Sequence, residues 1–189
     1  MKRNIPLWQM VGFLFTSLLG TFLHFLFDLT GGWVGAALFS AVNESIWEHM
    51  KLLFYPMLLF SLIQFRFLGK EHNNFWCIKA FGILVGLLLI PILYYTYTGI
   101  LGISADWFNI TIFFLAAGTA FWLETNLFHK PFFCSGKEKY AVASIFLWII
   151  LFTLFTFYPP HIPFFRDPLT QSYGYFQRRS HLQNLVDMV

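Results

Sequence analysis

Apolar residues occur in long runs along this chain, and polar residues interrupt those runs mainly at their ends. A hydrocarbon core about 30 Å thick is crossed by about 20 helical residues, since each residue rises about 1.5 Å. Four runs reach that length and predict membrane-spanning helices, at about 7–27, 76–97, 107–128 and 141–158. The second of these contains Gly82 and Gly86 in a G-x-x-x-G pattern, which we interpret as close helix packing within one chain.

A fifth run is too short to cross a membrane by itself. Only residues 52–63 separate Lys51 from Gln64, and these twelve residues rise about 18 Å as a helix. A spanning helix must therefore extend to about 46–67, with Arg66 reaching back towards the head groups at one end. The extension at the other end brings Glu48 and His49 to the membrane boundary.

Local chemistry predicts a helix start just before this region. Ser45 and Glu48 match the S-x-x-E capping box, and Asn43 is a competing cap. The preceding residues 33–42 are mostly apolar but too few to span. They predict a short interfacial or re-entrant helix packed on protein.

Composition places the chain among integral membrane proteins. It is 58% hydrophobic and 11% charged, against about 25% charged residues in soluble domains. The net charge of +3 is small and dispersed, so we expect membrane lipid and no nucleic acid as a partner. The predicted fold is an all-α integral membrane protein. It has a bundle of about five transmembrane helices over residues 1–158, the short interfacial or re-entrant helix, and an ordered proline-rich C-terminal tail over 159–189.

Basic residues predict the orientation in a cell membrane. The first apolar run is longer than a signal-peptide core of about 7–15 residues, so we interpret it as a retained helix. With the N-terminus in the cytoplasm, eight lysines and arginines before the tail lie inside and only Lys51 lies outside. The C-terminus is then extracytoplasmic. Cys77 and Cys134 would both face the reducing side, where we expect them to be unpaired.

Ionisable residues collect at the predicted outer boundary. His24 and Asp28 lie four residues apart, on one face of the first span. Glu44, Glu48 and Lys51 fall within about 60° of one another on a helical wheel. Charged groups near lipid are costly unless a counter-ion, a metal or a bound proton offsets them.

These residues support a hypothesis of a polar site that holds a metal. Imidazole and carboxylate ligands suit a divalent ion such as zinc, and a spare carboxylate could act as a general base. The candidate metal ligands are His24, Asp28 and His49, and the candidate catalytic residues are Glu44, Glu48 and Lys51. His49 points about 100° away from Glu48 and need not join the others. The alternative is a solvated helix end with ordinary ion pairs, since no H-E-x-x-H signature is present.

Two further features are interpreted separately. Glu124 lies within the fourth span, and we expect a structural ion pair with Lys79, Lys130 or Arg66, although a proton relay is the alternative. In the tail, four prolines within 159–168 disfavour helix. The apolar residues of 162–165 predict that this segment covers the outer face, with the last stretch, 177–189, forming a short surface helix or fraying.

The stretches "FSAVNESIWEHMKLLFYPM" and "PFFRDPLTQSYG" resemble an uncharacterised family of small bacterial multi-pass membrane proteins. The pattern would cover most of the chain. This resemblance implies a multi-pass membrane fold but transfers no activity, cofactor or catalytic residue. The outer His, Asp and Glu residues are also loosely similar to those of seven-helix membrane hydrolases with a zinc site, although this chain lacks their span number and full histidine set.

Three functional interpretations remain open from the sequence. The first is a metal-dependent, hydrolase-like or ligand-binding site for a lipid or envelope molecule. The second is a small cation- or proton-coupled transporter or binder. The third is a non-catalytic scaffold subunit. Transport ranks second because only Glu124 approaches mid-membrane.

Overall fold

The computed structural model describes residues 4–130, 133–134 and 136–186. These ranges contain seven α-helices and one 3₁₀ helix. The α-helices are Ile5–Leu29 (α1), Val34–Ala37 (α2), Ile46–Leu68 (α3), Phe75–Leu101 (α4), Asp106–Phe128 (α5), Glu138–Phe157 (α6) and Gly174–Val186 (α7). Five of them, α1 and α3 to α6, are long and apolar enough to cross a membrane. The predicted all-helical fold with five such helices is confirmed.

Helix α3 extends past its short apolar run in both directions, as the length argument required. Its 23 residues rise about 35 Å, which exceeds the hydrocarbon core of about 30 Å. The extension includes Glu48 and Lys51 at one end and Arg66 in the last turn at the other. The apolar run alone would have been too short to cross the hydrocarbon core.

Only part of the predicted capping box forms at the start of α3. The Glu48 N–H donates to Ser45 Oγ at 3.4 Å, and the Ser45 N–H donates to Asn43 Oδ1 at 3.0 Å. The Glu48 carboxylate accepts the Val42 N–H instead of returning to Ser45. Ser45 is therefore the cap of α3, Asn43 accepts the N–H of this cap residue, and Glu48 ties the preceding loop to the helix.

The predicted interfacial helix at 33–42 is much shorter than the apolar run suggested. Only Val34–Ala37 is helical. Gly31 and Gly32 precede it with φ values of +63° and +75°, a conformation that glycine adopts without steric cost. Ser40 Oγ donates to the Ala36 carbonyl at 2.7 Å, and the chain continues to α3 without regular structure.

The chain forms two compact units. The first consists of Met1–Leu19 and Leu53–Phe146, and the second of Gly20–Leu52 and Leu147–Val189. In the first unit, a Cβ at Gly82 would lie 2.5 Å from Glu124 Oε1, and a Cβ at Gly86 would lie 2.8 Å from Leu53 Cδ2. The G-x-x-x-G pattern therefore serves close packing within the chain, as interpreted from the sequence.

Cys77 and Cys134 form a disulfide within the first unit. The expectation that they are unpaired is wrong, and the cysteines no longer support the predicted orientation. Glu138, at the start of α6, accepts the N–H groups of Trp76 and Cys77 at 2.9 and 3.0 Å. It thereby satisfies two donors at the start of α4, where a negative charge is favourable. Residues 57 positions apart meet through this packing, which no local motif could reveal.

The proline-rich tail is ordered within the second unit. It forms a 3₁₀ helix at Pro163–Phe165, a single β-bridge between Arg166 and Tyr173, and then α7. Phe165 is 6% exposed and packs on Trp47 with ring centroids 5.1 Å apart, whereas Ile162 is 50% exposed. Of the apolar residues expected to cover the outer face, Ile162 is therefore not buried. The final helix begins at Gly174, three residues before the predicted stretch.

Candidate functional site

The charged residues around the start of α3 separate into two groups within the second unit. Glu48 and Lys51 are buried, at 1% and 0% exposure, whereas Glu44 and His49 are partly exposed and meet His24. The helical wheel that grouped Glu44 with Glu48 does not apply, because α3 begins two residues after Glu44. A wheel positions only residues that belong to the helix.

Lys51 lies at the centre of the buried group. Its Nζ is 2.5 Å from Glu48 Oε2, and it donates to the Ala37 carbonyl and to Thr156 Oγ1, each at 2.9 Å. All three donors of the ammonium group are therefore used. A charge this deeply buried needs such complete pairing, since desolvation is expensive.

Glu48 closes the same network from the acidic side. Its Oε1 accepts the Thr156 hydroxyl at 3.0 Å, and its Oε2 accepts the Val42 N–H at 3.0 Å. Lys51, Glu48 and Thr156 thus form a closed ring that joins α3 to α6 and to the segment after α2. This geometry favours a structural role for Glu48 and Lys51 over a role in catalysis.

The second group consists of His24, Glu44 and His49, which we call the His–Glu cluster. His49 Nε2 lies 3.4 Å from Glu44 Oε2, and His24 Nε2 lies 3.9 Å from Glu44 Oε1. The two imidazole rings have centroids 5.3 Å apart. About 29–41% of each side chain is exposed, so the cluster is accessible and held by protein on one side.

A backbone contact orients one of the two histidines. His49 Nδ1 lies 2.9 Å from the Ser45 carbonyl, to which it can only donate. The Nε2 of His49 is then either a bare acceptor or, in the imidazolium form, a donor to Glu44. Metal-binding histidines usually show such an outer hydrogen bond. His24 Nδ1 is buried and has no hydrogen-bond partner among the described residues.

Glu44 is held in its ionised form by its surroundings. A hydrogen bond from His49 lowers the pKa of the Glu44 carboxyl, and the nearby charges of His49, His24 and Arg178 act in the same direction, while burial opposes them. The Glu44 N–H also donates to Asp167 Oδ2 at 3.4 Å. The tail therefore positions the backbone that carries this carboxylate.

Asp28 does not join the His–Glu cluster as a ligand. Its Oδ1 lies 3.7 Å from Arg178 Nη2, and its side chain is 65% exposed. The sequence grouped Asp28 with His24 because they share a face of α1. Instead, the Asp28 carboxylate pairs with Arg178 of α7.

The spacing of the His–Glu cluster is close to what a tetrahedral metal requires. One candidate ligand atom from each of the three residues lies within 4.8 Å of the others. Ligands at about 2.0–2.1 Å from a tetrahedral Zn²⁺ are about 3.4 Å apart. Side-chain movements of about 1 Å or less would therefore bring all three atoms to one ion. Two histidines and one glutamate also match a ligand set of catalytic zinc centres that leave a fourth position open.

A family model for a family of unknown function, DUF6512, matches residues 1–175. The chain belongs to this family. No curated protein and no solved structure matches it. The predicted resemblance to a family without an assigned activity is confirmed, because this family has no known function. The DUF6512 match includes the His–Glu cluster and the buried Glu48 network, and it ends just before Arg178.

The sequence did not reveal several residues that build the site in this DUF6512 chain. Thr156 sits in an apolar run of α6 and completes the buried ring. Asp167 accepts the Glu44 N–H, and Arg178 pairs with Asp28. Asp167 carried a signal, since the segment that contains it is predicted to cover the outer face, where its carboxylate is available to the cluster. Thr156 carried none, because a threonine within a membrane helix usually bonds its own backbone.

Glu124 pairs with Lys79, one of the three partners expected for it. The Lys79 Nζ lies 2.5 Å from Glu124 Oε2, and both side chains are fully buried within the first unit. Arg66 and Lys130 do not take that place. The pair belongs to neither of the two groups around α3 described above.

Proposed function

We propose that this DUF6512 protein binds a divalent metal ion, such as Zn²⁺, at His24, Glu44 and His49, and acts on a lipid or envelope molecule at the membrane boundary. The observation that carries the proposal is the convergence of two imidazole Nε2 atoms on one carboxylate. The hydrogen bond from His49 Nδ1 to Ser45 supports it, because it leaves Nε2 available to a metal.

Each residue of the His–Glu cluster has a defined part in the proposal. The two histidines and Glu44 bind the ion and leave its remaining positions to water or substrate. A bound Zn²⁺ supplies a Lewis acid and lowers the pKa of its water to about 7. Glu44 is already ionised through its neighbours, as a carboxylate ligand must be. The predicted position near the end of a span suits a substrate that is itself in the membrane.

Protons compete with the metal for the histidines. When His49 Nε2 carries a proton it can donate to Glu44, and when it does not it can bind a metal. We therefore expect zinc affinity to rise with pH through the usual histidine range near 6.5. An ordinary ion pair between histidine and Glu44 would instead weaken as the pH rises, because it is strongest when the imidazole is charged.

Metal content of the purified protein tests the binding step. We expect about one zinc ion per chain by elemental analysis, and an affinity at least tenfold lower in His24→Ala, His49→Ala and Glu44→Gln. His161→Ala and Asp28→Asn are the matched controls, since each alters an exposed residue outside the cluster. Equal zinc affinity of wild type and a His24→Ala/His49→Ala double variant would refute the site.

Activity is tested separately, so that its failure leaves the binding result intact. Zinc-loaded protein is incubated with vesicles of phosphatidylethanolamine and phosphatidylglycerol, and products are followed by mass spectrometry. We expect product from wild type and from His161→Ala, and none from His49→Ala. Metal binding without product from any vesicle would leave a binder rather than an enzyme acting on these lipids.

A further inference from the structure

Unpaired polar atoms surround the buried ion pair of the first unit. Lys79 and Glu124 are each 0% exposed, and four phenylalanine rings lie within 6.0 Å of Lys79 Nζ. Glu124 Oε1 has no hydrogen-bond partner among the described residues. The pair is thus enclosed by aromatic rings, but its hydrogen-bonding capacity is not fully used.

Gln9 on α1 extends this unsatisfied group. Its side chain is 2% exposed and lies near the Glu124 carboxylate. Neither its Nε2 nor its Oε1 has a partner with hydrogen-bond geometry in the described part of the chain. Buried side-chain amides are almost always paired in native proteins. The Glu124 carboxylate can accept only from Gln9 Nε2, so Gln9 Oε1 still requires a donor from another molecule.

A groove leads from the surface of the first unit to Gln9. It has a volume of about 210 Å³, and its walls come from α1 and α5, including Met10, Gly118 and Trp122. Met10 and Trp122 are 56% and 66% exposed, so the groove opens on an apolar surface. A site for a drug-sized ligand takes about 300–1,000 Å³. This groove therefore suits one linear chain and its polar attachment point.

The depth of Gln9 matches the level where lipid head groups join their chains. Gln9 is four residues from the start of α1, and Glu124 is four residues from the end of α5. Each is therefore about 6 Å from a helix end. Helices of 25 and 23 residues exceed a core of about 30 Å by several ångströms. Gln9 then lies within a few ångströms of the boundary of the hydrocarbon.

We propose that this groove binds a single-chain lipid of the monoacylglycerol type. The ester carbonyl accepts from Gln9 Nε2, and a glycerol hydroxyl donates to Gln9 Oε1 or Glu124 Oε1. The acyl chain lies in the groove against Met10 and Trp122. An uncharged head suits the site because Lys79 and Glu124 already neutralise each other.

Melting of the purified full-length protein in detergent, with and without monoolein, tests the proposal. We expect monoolein to raise the melting temperature of wild type by several degrees and to remain bound in native mass spectra. The gain should be absent in Gly118→Leu, which fills the groove. A Cβ at Gly118 would meet only Phe13 at 3.8 Å, so this variant should fold. Leu18→Met, at a position 74% exposed on α1 and outside the groove, is the matched control and should keep the full gain.

Two further lipids test the hydrogen bonds. The ether analogue of monoolein lacks the carbonyl, and methyl oleate lacks the hydroxyls, so both should raise the melting temperature of wild type less. Gln9→Met should remove this discrimination. Equal gains in wild type and Gly118→Leu would overturn the site, and equal gains from monoolein and methyl oleate would overturn the role of Gln9. A gain from monoolein in Gln9→Met as large as that in wild type would show that Gln9 does not bind the head group.

Discussion

Lys51 and Glu48 form an ion pair whose Nζ and Oε2 atoms lie 2.5 Å apart, with both side chains almost completely removed from solvent. They are one turn apart on α3, but helix geometry alone does not stabilise them. Thr156, Ala37 and Val42 provide the remaining hydrogen bonds. The desolvation of the pair is therefore offset only in the folded second unit, where every donor of the pair has an acceptor.

Removing one member of this pair should destabilise the protein strongly. We expect Lys51→Met or Glu48→Gln to lower the free energy of unfolding by about 3–5 kcal/mol, because each leaves a buried group unpaired. Thr156→Val should cost less, about 1–3 kcal/mol, since it removes one hydroxyl. Reversible unfolding in mixed detergent measures these differences. Glu48→Gln/Lys51→Met should cost less than the two single changes added together, and strict additivity would contradict the pairing.

Glu44 should contribute stability that depends on pH. Its pKa lies below the usual 4.5, so its contribution is present above that pH and is lost as the pH falls through its folded-state pKa. The charged groups facing it are His24, His49 and Arg178. Because the side chain is 41% exposed, we expect Glu44→Gln to cost less than about 1 kcal/mol at pH 6.

Melting of metal-free protein between pH 6 and pH 3 checks this. The difference between wild type and Glu44→Gln should shrink as the pH falls below 4.5. Asp28→Asn provides the control for general acid destabilisation, since Asp28 lies outside the cluster. A difference that grows towards pH 3 would contradict the sign of the pKa shift.

The tail should stabilise the second unit through Phe165. Its ring is buried against Trp47 and Phe155, so Phe165→Ala should cost about 3–5 kcal/mol. Ile162→Ala alters a residue that is 50% exposed on the same segment and should stay within about 0.5 kcal/mol. Thermal unfolding of the two variants in detergent distinguishes them. Equal effects would mean that the tail does not pack as described.

Orientation can be decided by thiol labelling. The basic residues predict that residues 130–139 lie in the cytoplasm, whereas the Cys77–Cys134 disulfide is a bond typical of oxidising compartments. We expect the charge asymmetry to prevail, because it governs insertion. In a Cys77→Ser/Cys134→Ser background, Lys137→Cys should react with an impermeant thiol reagent only after the cells are opened. Reaction in intact cells would reverse the predicted topology.

The native cysteines provide the complementary measurement. If they face the cytoplasm, alkylation in cells should find both thiols reduced, and the disulfide should form after purification in air. Mass spectrometry with and without reductant distinguishes the two states. A disulfide already present in cells would support the opposite orientation.

The sequence by itself determined which segments become long helices. Apolar run length predicted five helices long enough to cross a membrane. The shortfall of residues 52–63 predicted that α3 includes Glu48 and Lys51, because the hydrocarbon core tolerates no unpaired backbone groups. Ser45 and Asn43 marked the helix start through contacts only a few residues apart. Such features depend on neighbours along the chain, so a single sequence contains them.

Only the tertiary structure decided which polar groups meet. Glu44 joins His24 and His49 rather than Glu48, because it lies in a loop whose path no helical wheel describes. Thr156 and Arg178 reach α3 and Asp28 from positions more than 100 residues away. Helix packing likewise brings Cys77 and Cys134 together. Pairings of this kind depend on how whole helices pack, and packing places residues by shape and distance in space, which local sequence patterns do not record.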